Sequence, residues 1–167
     1  MNQQLRYAWV LTAAVTALAA CGQREEGAST ESAEAAPAES VQSSAPPSMP
    51  RQPAPADARL YFVTPADGDT VSSPVRVEFA VDGMEVVPAG TEAANSGHHH
   101  IIVDVDLPPM NLPIPADANH VHFGDGSSST ELDLEPGEHT LQLLFADHLH
   151  IPHDPPVVSE RITITVE

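Results

Sequence analysis

Val75, Val77, Phe79 and Val81 alternate with Arg76, Glu78, Ala80 and Asp82. A period of two sends successive side chains to opposite faces of an extended chain, so this stretch predicts a strand with one buried face. The same alternation sets Ile162, Ile164 and Val166 against Arg161, Thr163 and Thr165, and Leu132 and Leu134 against Glu131, Asp133 and Glu135. Four further strand candidates cover 60–64, 98–106, 120–123 and 139–146. No segment carries a helical period, and turns rich in Pro, Gly and Asp separate the runs. Seven short strands of this kind predict an all-β domain, an immunoglobulin-like two-sheet Greek-key sandwich.

The first fifty-odd residues follow a different pattern. Arg6 precedes an apolar and small-residue stretch over 7–20 that is short for a bilayer span. It closes on Leu18-Ala19-Ala20-Cys21, which resembles a bacterial lipobox. The expected organisation is a lipoprotein signal peptide over 1–20, then a lipidated Cys21 heading a disordered Ala/Ser/Pro/Glu tether over 21–57. The histidine-rich immunoglobulin-like domain is expected over 58–167. Gly22 in place of aspartate resembles an outer-membrane address, so the expected location is the cell envelope, as an outer-membrane lipoprotein facing the periplasm. The membrane is then a partner through Cys21. Cys21 is the one cysteine of the chain, so no disulfide is expected within it.

Charge narrows the partners. From residue 58 onward, 18 acidic side chains face only Arg59, Arg76 and Arg161. Nucleic acid and anionic headgroups are poorly matched to such a surface, whereas cations are drawn to it.

All nine histidines lie between His98 and His153, in a chain without lysine. With the seven expected strands lettered A to G in chain order, the loops B–C and F–G of a sandwich share one end, and the turn after the fourth strand joins them. The triplet His98, His99 and His100, then His122, and finally His148, His150 and His153 are therefore expected at one rim. His98 and His100 are out of phase with Ile101 and Val103, so they leave the strand together on one face, while His99 points inward. His120 and His122 share the same i, i+2 spacing. Neutral imidazole suits borderline ions such as Cu²⁺ and Zn²⁺. The expected ligands are His98, His100, His122, His150 and His153, with His99, His120, His148 and Asp147 as possible additions. Asp147, Asp104 or Asp154 can serve as an oxygen ligand or orient a ring. The alternative for His99 is a hydrogen-bonded rim histidine. His139 falls at a strand corner and is expected to be structural.

Two resemblances bear on this expectation. Gly97-His98-His99-His100-Ile101-Ile102-Val103-Asp104, His120-Val121-His122-Phe123-Gly124, Pro136-Gly137-Glu138-His139-Thr140-Leu141-Gln142-Leu143 and His150-Ile151-Pro152-His153-Asp154-Pro155-Pro156-Val157 together resemble an uncharacterised family of small secreted bacterial domains of unknown function. That resemblance implies a shared fold and location and no established activity; His148 is less typical of its pattern. Separately, His120-Val121-His122-Phe123-Gly124-Asp125 is similar to the copper-ligand strand of copper–zinc superoxide dismutases. The likeness covers six residues, without the bridging histidine, zinc loop or disulfide of those enzymes.

The function expected from the sequence is a lipid-anchored envelope protein that binds Cu or Zn through its histidine cluster, for buffering or delivery, with a metal-handling or envelope protein as partner. The alternative is an interaction module whose histidines are structural and whose sandwich end docks a protein or glycan. A copper redox enzyme is the minor alternative. No nucleophile–base pair is evident: Ser127, Ser128 and Ser129 sit on a turn.

Overall fold

The computed structural model describes residues 48–167. The signal segment, Cys21 and most of the tether lie outside the described residues. Nine strands and no helix are found among them. One sheet holds β1 (Arg59–Thr64), β3 (Val75–Asp82) and β7 (Ser129–Leu132), in the order β1-β3-β7. The other runs through β2 (Thr70–Val71), β9 (Ile162–Val166), β8 (Gly137–Ala146), β5 (Ser96–Val103) and β4 (Glu85–Val86), with β6 (His120–His122) also paired to β5. The architecture is the expected two-sheet sandwich, enlarged from seven strands by the two-residue pieces β2 and β4.

The alternating segments bury their apolar phase between the sheets. Val75, Val77 and Phe79 of β3 meet Ile101, Leu141, Leu143, Phe145, Ile162 and Ile164 across the gap. Phe79 packs edge-on to Phe123, with ring centres 4.8 Å apart. Each such side chain contributes roughly 1.5–3 kcal/mol by leaving water.

At β5 and the end of β8 the second sheet is covered on both faces, which the alternation did not predict. All eight residues of β5 are buried. Its outer face carries a second, smaller core of Ile102, Ile114, Leu144 and Ala146, with Val105, Leu107, Met110 and Val158 against it. Part of this cover is the proline-rich excursion between β5 and β6. It begins because β5 stops at Val103, short of the expected end at 106: Asp104 takes a left-handed backbone (φ 58°) that a strand cannot continue.

Other expected boundaries move as well, most of them by one or two residues. Leu134 lies outside β7, so the fifth strand runs over Ser129–Leu132 rather than to Glu135. Packed chain also begins ahead of Ala58. Arg51 donates from Nε to Pro152 O (2.9 Å), contacts His153 O and pairs with Asp154 (3.3 Å), while Ala54 N donates to Asp154 O (3.1 Å). The last residues assigned to the tether therefore belong to the folded part.

Candidate metal centre

The site is built on both edges of β5 and on the hairpin that follows β8. Gly97 O and His99 O point to the same edge of β5, where they accept Val87 N (2.8 Å) and Phe123 N (3.1 Å). β4 and β6 thus follow one another along that edge, and β8 occupies the other. A side chain on Gly97 would come within 2.9 Å of Phe145 Cε1 and strike the Ala146 carbonyl, so glycine is what lets β8 close against the start of the triplet.

His98 and His100 leave β5 on its outer face, with ring centres 4.8 Å apart. His122 stands directly opposite His100 in the antiparallel pair, and cross-strand partners share a face. Its ring lies over Gly124, where any β-carbon would come within 2.9 Å of His122 Nε2. The glycine of His-Val-His-Phe-Gly therefore makes room for this imidazole.

His150 arrives from a tight turn. Asp147 N donates to Ile151 O (3.0 Å), His150 N donates to Asp147 O (2.9 Å), and Ala146 bridges Pro152 beyond. This is a three-residue hairpin loop whose last position needs a left-handed backbone, usually supplied by glycine. Here His150 holds it, at φ 66°. Asp147 locks the loop by accepting Leu149 N (2.8 Å) and Ile151 N (3.0 Å) on Oδ1. The turn aims the His150 ring back over β5.

The four imidazoles converge. Their ligand atoms all lie within 4.8 Å of one another, and His122 Nε2 sits 3.2 Å from His150 Nε2. A tetrahedral ion with bonds of about 2.0–2.1 Å has nitrogen–nitrogen edges of about 3.3–3.4 Å. His98 and His100 are buried, His150 is partly covered and His122 is exposed, so the group is closed on the strand side and open at the edge.

Electrostatics keep it neutral. Burial lowers the His98 pKa to about 3 and that of His100 to about 2, and the neighbouring imidazoles push both the same way. His122 is lowered too, by burial first and then by His150. Neither ring nitrogen of His98 has a hydrogen-bond partner, nor does Nδ1 of His100. A buried polar atom left unpaired costs about 1–3 kcal/mol. Unprotonated lone pairs, gathered and unsatisfied, are the state that a cation binds.

The other expected residues lie elsewhere. His153 stands apart: past Pro152 its Nε2 meets Ser96 O (3.1 Å) and its ring stacks on Phe145 (centres 6.0 Å apart). His99 points inward between Phe79 and Phe145, at 4.8 and 5.0 Å, with neither nitrogen hydrogen-bonded. Burial lowers its pKa to about 4; the nearby Ser127 backbone acts the other way, without reaching hydrogen-bond geometry to the ring. His120 shares the face of His122, but its Nδ1 is held by Asp117 Oδ1 (2.7 Å) and it lies outside the four. His148 sits on the hairpin tip and also lies outside them. The three carboxylates considered as oxygen ligands have other partners: Asp147 in its turn, Asp154 with Arg51, and Asp104 with His139 Nδ1 (2.7 Å) and Thr140 N (2.7 Å). His139 also meets Glu135 O through Nε2 (2.8 Å), so both its nitrogens serve the corner. Asp117, which orients His120, and Ile114, which covers the outer face, are supporting residues that no spacing motif announces.

Residues 77–167, more than half the chain, match the model of the family described as Domain of unknown function (DUF4399). The chain belongs to this family. The DUF4399 stretch contains all four converging histidines, together with β4 to β9 and most of β3. No curated protein and no solved structure matches the chain.

Proposed function

We propose that this DUF4399 protein is a lipid-anchored cell-envelope protein that binds one transition-metal ion, Cu or Zn, through His98, His100, His122 and His150, for buffering or delivery. The observation that carries the reading is convergence. Three separate segments bring four imidazoles within 4.8 Å of one another, two of them buried, and one of these with both nitrogens unpaired. A purely structural role for these rings is less economical, because His99, equally buried and unpaired, stands among phenylalanines, whereas these four rings face one another as a shared ion requires. The anchoring and the envelope location rest on the Leu18-Ala19-Ala20-Cys21 pattern of the sequence.

Calorimetric titration of the untagged protein tests the binding. One Zn²⁺ or Cu²⁺ per chain is expected, with Kd below about 1 μM. Binding should be lost in His98→Ala and His150→Ala and retained in His153→Ala. Affinity no better than that of a variant lacking all four histidines would end the proposal. Loss of metabolic palmitate labelling on Cys21→Ala is the matching test of the anchor; equal labelling of parent and variant would refute it.

A further inference from the structure

The six distances between the four rings distinguish coordination geometries. An imidazole bound at about 2.0–2.1 Å places its ring centre about 3.2 Å from the ion. Four such centres lie about 5.2 Å apart in every pairing if the ion is tetrahedral. If the ion is square-planar, four pairings shrink to about 4.5 Å and the two diagonals stretch to about 6.4 Å.

The rings of His98 and His100, His98 and His150, and His122 and His150 are each 4.8 Å apart; His98 and His122 are at 4.9 Å, and His100 and His122 at 5.1 Å. Only His100 and His150 are wider, at 5.8 Å. In a square the pairing opposite the longest one must be long as well. Here the opposite pairing, His98 with His122, is among the short ones.

Rearrangement toward a square is resisted by the backbone. His98 and His100 are fixed two residues apart on β5, His122 is locked opposite His100 by the β5–β6 register, and His150 is held by the Asp147 turn. None of the four ligands is a thiolate, and all are imidazoles, a set that suits Zn²⁺ better than the soft Cu⁺ ion. Tetragonal Cu²⁺ is disfavoured by the shape. Four protein ligands also fill a tetrahedron, whereas catalytic zinc sites keep one position open for water.

We infer that His98, His100, His122 and His150 form a coordinatively closed tetrahedral centre that takes Zn²⁺ and leaves no position for water or substrate. This rests on the metal-binding reading and goes beyond it: it selects the ion, and it makes the centre a holding site rather than a redox or hydrolytic one.

Cobalt substitution of the full-length untagged protein is the test, because Co²⁺ reports coordination number in its visible spectrum. Intense four-coordinate bands are expected, with no exchangeable water detected by solvent proton relaxation. His122→Ala, at the exposed edge, should weaken the bands, admit a water, and raise the Cu²⁺-to-Zn²⁺ affinity ratio about tenfold or more, since the freed ion can flatten. The unaltered protein needs no variant to fold, and its spectrum decides by itself. Weak bands or a bound water on it would overturn the closed tetrahedron while leaving metal binding intact. An unchanged or lower copper-to-zinc ratio in the variant would overturn the selection of zinc. Failure of Co²⁺, Zn²⁺ and Cu²⁺ alike to bind would overturn this inference together with the reading beneath it.

Discussion

His98 and His99 are consecutive residues on the same buried strand, and they inhabit different chemistry. On the inner face, His99 is one ring among phenylalanines, packed edge-on to Phe79 and Phe145. On the outer face, His98 is one ring among four histidines, within 4.9 Å of three others. Both are fully buried, both lack hydrogen-bond partners and burial lowers both pKa values. The difference shows that buried, unprotonated imidazole is not enough to make a site. What separates the two faces is company, and the pleat of β5 decides which ring receives it.

The largest effects should divide the faces cleanly. Phe79→Ala removes an inner-face ring and is expected to cost about 3–5 kcal/mol in denaturant unfolding, with the added stability due to zinc unchanged. His100→Ala is expected to do the reverse. Free zinc about 1,000-fold above Kd should stabilise the parent by about 4 kcal/mol, and the variant by none. A zinc increment surviving in His100→Ala would break the comparison.

The pH dependence separates the outer face from the corner at the far end of β8. His98 and His100 fall from 6.5 to about 3 and about 2 on folding, so between these limits the unfolded chain binds more protons. Their effect is that metal-free stability is greatest above about pH 6.5 and declines as the pH falls toward 3. His139 has the opposite sign. Asp104 foremost, and Glu135 O after it, raise its pKa, so its contribution is full below 6.5 and is lost as the pH rises through the folded value. Thermal melts across pH should therefore show His139→Ala losing stability mainly on the acid side. A loss confined to alkaline pH would contradict the ion pair.

A smaller effect concerns His99. Replacing an unpaired buried imidazole with an apolar side chain removes a desolvation cost, so His99→Leu should stabilise the metal-free protein by about 1–2 kcal/mol and leave zinc affinity unchanged. Weakened zinc binding in that variant would place His99 in the site after all. The smallest stability change is expected for His150→Gly. Relief of the left-handed backbone and the greater freedom of glycine when unfolded oppose each other, leaving a net change below about 1 kcal/mol. Zinc affinity should nevertheless fall at least about tenfold, which calorimetry would detect.

The fold was legible because alternation reports a single buried face. Val75–Asp82 and Ile162–Val166 each keep a strict period of two, and both are strands with those bounds. The convergence of His98, His100, His122 and His150 follows from the same pleat combined with sandwich topology. Less legible was whatever depends on tertiary cover. The proline-rich chain after Asp104 has no period, so its packing over β5, which turns an outer face into an interior, left no mark in the pattern. His153 misled for a related reason: its spacing from His150 does not reveal that the turn ends at His150, after which Pro152 pairs with Ala146 and His153 lies against Phe145.

The amide of Ile114 donates to the carbonyl of His150 across 2.9 Å. One end of that bond belongs to the cover of the sheet and the other to a ligand-bearing turn. An ion held by His150 would therefore clamp the cover along with the turn, and its release would free both. Solvent exchange at this single N–H would then gauge occupancy, slow with an ion in place and fast without one.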